Sequence, residues 1–114
     1  MDKSELYISE DGKSYAVLVS SGWGAGWSTW NTPRLAYDKR VVDLFLSGYR
    51  VTNAGAGHDQ GDERLCSWGY AKPYWGGWNQ IHVEWIPFGV KWRLTEYDGN
   101  EAIEYLDEDS YNCF

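Results

Sequence analysis

The chain has 114 residues, 43% of them apolar, and this size suits a single domain, 1–114, built on one core. It carries a formal charge of −7. No apolar run approaches the roughly 18 residues that a membrane-crossing helix requires, so no bilayer span is expected.

Leu6, Tyr7 and Ile8 predict a short strand, and Asp11-Gly12 is a tight-turn signal. Tyr15 to Val19 is rich in β-formers and predicts the returning strand of an N-terminal hairpin. Gly22-Trp23-Gly24-Ala25-Gly26-Trp27-Ser28-Thr29-Trp30 follows at once, and its glycines predict a loop. The principal helix comes next. Its start is either Thr32, as N-cap with Pro33 in the first turn, or Asp38. Leu35, Tyr37, Val41, Val42, Leu44, Phe45 and Leu46 form its apolar stripe, and Gly48 closes it.

Residues 53–61 are small and polar and predict a loop. Asp62 to Trp68 predicts a short helix ended by Gly69. A second glycine–aromatic patch follows, with Tyr70, Tyr74, Trp75, Gly76, Gly77 and Trp78. Ile81 to Ile86 alternates with strand period, Pro87-Phe88-Gly89 turns, and Val90 to Tyr97 predicts another strand. Asp98-Gly99 predicts a hairpin turn, with Ala102 to Leu106 returning. The expected fold class is α+β. An antiparallel sheet of about five strands, an N-terminal hairpin plus a C-terminal meander, carries one main helix on one face.

Eight Trp and nine Tyr are hard to bury in so small a core, because indole N–H groups need partners. Exposed aromatics mark contact surfaces, so both glycine–aromatic segments are candidates for ligand or partner binding. The residues are Trp23, Trp27 and Trp30 in the first, and Tyr74, Trp75 and Trp78 in the second. A mixed outcome is expected, with Trp23 exposed and Trp27 or Trp30 buried. Lys39 and Arg40 are candidate cations beside the first segment, suited to a nucleotide-type ligand stacked on tryptophan. The glycine spacing fits neither the dinucleotide fingerprint nor a phosphate loop.

Charge is unevenly placed. Residues 1–95 hold ten acidic and ten basic side chains, so the whole net charge lies in 96–114. Glu104, Asp107, Glu108 and Asp109 make this end a candidate contact for a basic protein surface, and they argue against direct nucleic-acid binding. His58 with Asp59 and Cys66 defines no catalytic constellation, and His82 with Glu84 reads as a polar strand face paired across to Lys91 or Arg93. Neither catalysis, a cofactor nor a metal is expected. Two Cys and two His lack zinc-ligand spacing. Cys66 and Cys113 could bridge, but the N-terminus lacks a signal-peptide core, and the intracellular setting this suggests favours free thiols.

Gly24-Ala25-Gly26-Trp27-Ser28-Thr29-Trp30 is followed by Leu35-Ala36-Tyr37-Asp38-Lys39-Arg40-Val41-Val42, Tyr74-Trp75-Gly76-Gly77, Val83-Glu84-Trp85-Ile86-Pro87 and Glu96-Tyr97-Asp98-Gly99. This combination resembles a group of small accessory proteins encoded by tailed bacteriophages. The resemblance spans residues 15–106 and brings no assigned chemistry. It implies a protein made in the cytoplasm of an infected bacterium, and by analogy an inhibitor of a host defence system. The expected role is therefore non-enzymatic binding of a host protein. The alternatives are a sponge for a nucleotide-type signal, for which a homo-oligomer would be suited, a sugar-binding module and a small enzyme.

Overall fold

The computed structural model describes residues 3–50, 63–71, 73, 75–105 and 112–114. Its elements are β1 (Ser14–Ser20), α1 (Lys39–Leu46), a single-turn helix α2 (Arg64–Ser67), β2 (Ile81–Pro87), β3 (Arg93–Tyr97) and β4 (Asn100–Glu104). The fold is α+β. No helix among the described residues is long and apolar enough to cross a membrane.

The strands form two antiparallel pairs, β1 with β2 and β3 with β4, where a single sheet of about five was expected. Residues 6–8 do fold back at Asp11-Gly12, but they make one isolated bridge, Ile8 to Tyr15, and no ladder. The Asp11 carboxylate accepts from Ser9 Oγ and the Lys13 amide, which closes the turn with side-chain bonds. The meander also divides. After β2 the chain turns at Gly89, whose N–H bonds the Phe114 carbonyl. Trp92 then bridges to Asn112, so this segment pairs with the C-terminus and not with β2. β2 takes β1 as its partner instead, with Ser14 opposite Pro87 and Ser20 opposite Ile81.

β1 explains why one strand can organise the whole molecule. Six of its seven residues are buried, because both faces are covered. Ala16 and Leu18 face a cluster with Trp27, Leu35, Val41, Val42, Leu44, Leu65, Trp75 and Trp78. Tyr15, Val17 and Val19 face a second cluster with Leu6, Ala36, Ile86 and Trp92. Strand alternation thus feeds two apolar clusters from a single strand, where one core was expected.

Both proposed helix starts are used, for different elements. Pro33 opens a 3-10 turn, Pro33–Ala36, behind Thr32. Asp38 caps α1 by accepting the Arg40 amide at 2.9 Å. On β2 the buried residue is Ile86, while Trp85 stays 44% exposed against Tyr7.

Candidate functional site

The Gly/Trp segment leaves β1 and must satisfy its backbone groups without a strand partner. Glu101 of β4 solves this. Its side chain is buried, and its Oε1 accepts the Ser20 amide at 2.9 Å. Its Oε2 accepts the Trp27 amide at 3.0 Å, the Thr29 amide at 2.9 Å and the Thr29 hydroxyl at 2.6 Å. Charge-assisted bonds of this kind contribute about 1.5–3 kcal/mol each. One carboxylate therefore folds the loop from inside.

The tip of the β3–β4 hairpin holds the same loop from outside. Gly24 N–H donates to the Asp98 carbonyl and Gly26 N–H to the Gly99 carbonyl, both at 2.6 Å. Asp98 and Gly99 have φ of 51° and 86°, the two left-handed residues of a tight hairpin turn. A Cβ on Gly99 would lie 2.8 Å from the Ala25 nitrogen, so the tip packs backbone against backbone. Asn31 adds a side-chain bond to the Trp27 carbonyl.

This frame sorts the tryptophans. Trp27, Trp75 and Trp78 stack together with ring centroids 5.1–5.6 Å apart. Gly77 lies against the Gly26 carbonyl, where a Cβ would come within 2.9 Å. The two glycine–aromatic segments do adjoin, but they form core and not an open cleft. Trp27, Trp75 and Trp78 as stacking surfaces are therefore corrected: all three are buried. The physical reason is apolar burial, about 1.5–3 kcal/mol per large side chain, with indole donors satisfied inside. Trp27 Nε1 bonds the Leu35 carbonyl and Trp78 Nε1 the Tyr49 carbonyl.

Trp23 and Trp30 stay outside, 68% and 43% exposed. Trp23 meets Tyr97 edge to face, with centroids 5.5 Å apart and planes at 82°. Tyr97 is 74% exposed. Trp30 lies against Gly26 and Gly99, and its Nε1 donates to Glu96 Oε2 at 3.2 Å. The same Glu96 oxygen accepts the Gly99 amide at 2.7 Å. Trp23, Tyr97, Trp30, Glu96 and Asp98 thus make one aromatic and acidic knuckle on a frame of backbone hydrogen bonds.

The candidate cations are placed elsewhere. Arg40 turns back onto Asp38, with Nη2 to Oδ2 at 2.9 Å, and lies over the Trp68 ring. Asp38 also accepts from Tyr70 Oη at 2.7 Å. Burial pushes the Asp38 carboxyl up, and the bonds from Arg40 and Tyr70 outweigh it, leaving its pKa below the ordinary value. Lys39 is exposed beside Leu6 and Ile8. The amides of Gly24, Gly26, Trp27 and Thr29 all donate within the protein, so this run of the loop is not a phosphate cradle.

On β2, His82 pairs with Glu84 of the same strand at 2.9 Å, and Arg93 pairs with Glu104. The expected pairing of His82 and Glu84 with Lys91 or Arg93 gives way because β2 faces β1 and not β3. Cys66 and Cys113 are free and exposed. Tyr74, Asp107, Glu108, Asp109, His58 and Asp59 lie outside the described residues.

Glu96, Tyr97, Asp98 and Glu101 were not singled out as site residues by sequence. A signal existed for Glu101: strand period puts it on the face of Ile103, an acid on an apolar side. Comparison with family models, curated proteins and solved structures finds no match for this chain.

Proposed function

We propose that the protein acts by binding, as a non-enzymatic inhibitor that contacts a host protein through the Trp23–Tyr97–Trp30 knuckle. The supporting observation is the exposure of Trp23 and Tyr97, 68% and 74%, on a loop and hairpin tip tied together by backbone bonds. Large aromatics held in the open on a rigid frame lose little entropy on docking and supply most of the energy of a contact. The excess acid of residues 96–114 favours a basic partner surface and speeds encounter with it. The resemblance to phage accessory proteins supports a setting in the infected bacterial cytoplasm and a host defence protein as target.

The test is affinity capture from bacterial lysate, followed by quantitative binding of the recovered protein. Trp23→Ala with Tyr97→Ala is expected to weaken binding at least tenfold, and neutralising Glu104, Asp107, Glu108 and Asp109 to slow association. Undiminished binding by the aromatic double variant would overturn the assignment.

A further inference from the structure

We infer that the corner between Trp23 and Tyr97 receives one arginine side chain displayed by a partner protein, an inference that rests on the binding role proposed above. Two ring planes at 82° with centroids 5.5 Å apart form a right-angled corner. Because the pair meets edge to face, a cation seated there lies over the negative face of the ring that presents its edge and beside the second ring. Exposure of 68% and 74% leaves the corner open to solvent. The backbones that carry the two rings are tied together, because Gly24 N–H is bonded to the Asp98 carbonyl beside them.

The surrounding charge selects the sign of the guest. Asp98 follows Tyr97 and is exposed, and Glu96 is held at the same tip by the Gly99 amide. Among the described residues no Lys or Arg forms an ion pair with either carboxylate. A phosphate would meet repulsion here, and a neutral aromatic guest would gain nothing from the acids. Arginine suits the corner better than lysine. Its planar guanidinium can lie flat on one ring while its N–H edge reaches a carboxylate.

The probe is a blocked Gly-Arg-Gly tripeptide, compared with the same peptide carrying neutral citrulline. NMR of the Trp23 and Tyr97 ring protons reports the site. The arginine peptide is expected to shift both sets of signals and to bind about two- to fivefold more tightly than the citrulline peptide. Trp23→Ala and Tyr97→Ala should each abolish the response. Asp98→Asn isolates charge, because asparagine tolerates the left-handed turn position, and it should weaken arginine binding with the fold unchanged. Equal response to both peptides, no response to either, or full binding by Asp98→Asn would overturn the inference. Any of these can occur while the aromatic double variant still loses the captured partner, which would leave the binding role standing and remove only the arginine.

Discussion

The Glu101 carboxylate accepts the backbone N–H of Trp27, 74 residues earlier in the chain, at 3.0 Å. That bond and two from Thr29 join β4 to the loop that presents Trp23, and a fourth, from the Ser20 amide, joins it to the end of β1. Removing the carboxylate leaves three backbone donors without their acceptor. Glu101→Ala is expected to cost about 3–5 kcal/mol, and Glu101→Gln less, because one oxygen remains. Urea unfolding of both variants checks this. A loss below about 1 kcal/mol for Glu101→Ala would contradict the role given to the carboxylate.

Gly99 couples the hairpin tip to the loop. Its φ of 86° strains any L side chain, and its Cβ position is 2.8 Å from the Ala25 nitrogen. Gly99→Ala is expected to destabilise by about 1–3 kcal/mol and to separate Trp23 from Tyr97. Loss of the ring-to-ring nuclear Overhauser contacts between these residues would be the direct readout. Retention of those contacts at wild-type stability would refute the close packing.

Ser20 and Ser28 have buried hydroxyls with no hydrogen-bond partner among the described residues. An unsatisfied buried hydroxyl is a cost to the folded state. Ser28→Ala should therefore leave stability unchanged or raise it by about 1 kcal/mol, as should Ser20→Ala. A denaturation midpoint that falls clearly in either variant would reveal a bond that the structure does not contain.

Stability should decline at both pH extremes, through different groups. The pKa of Asp38 lies below its ordinary value. Its contribution is therefore full above about pH 4, the unfolded value, and is lost as pH falls through the lower folded value. Asp38→Ala should cost about 2–3 kcal/mol at neutral pH, and the gap to wild type should narrow in acid. Tyr15 has the opposite sign. Burial, partly offset by the hydrogen bond from Trp92, pushes its phenol up to about 12. Its contribution is full below about pH 10 and is lost as pH climbs through the folded value. Tyrosinate absorbance should show late-titrating phenols, Tyr15 and Tyr70 among them, and Tyr15→Phe should remove one of these. A gap that stays constant in acid, or a Tyr15 that titrates with the exposed phenols, would contradict these assignments.

The legible features were those carried by neighbouring residues. Asp98-Gly99 reads as a hairpin turn because only a few residue types accept two successive positive φ values. Asp38 reads as a helix cap because its side chain reaches an amide two residues on. The Gly/Trp segment reads as a loop because its glycines support neither helix nor strand. The pairing of β1 with β2 was not legible. Ser14 and Pro87 lie 73 positions apart, and β2 could equally have returned onto β3 by period alone.

The amino-acid sequence by itself determined an α+β chain with a glycine–tryptophan loop and an acidic C-terminal region that contains a tight hairpin turn. Trp23 outside with Trp27 or Trp30 inside was legible in the sequence; tertiary structure alone decided that Trp27 is the buried one and that Trp30 stays outside. Trp23 and Trp27 have nearly the same local surroundings, each set against glycine. Trp27 is drawn inward by Trp75, Trp78 and the Glu101 carboxylate, all distant in the chain, and Trp23 is left facing Tyr97. Burial is a property of what packs against a residue, and for this loop those partners come from β4 and the segment before β2.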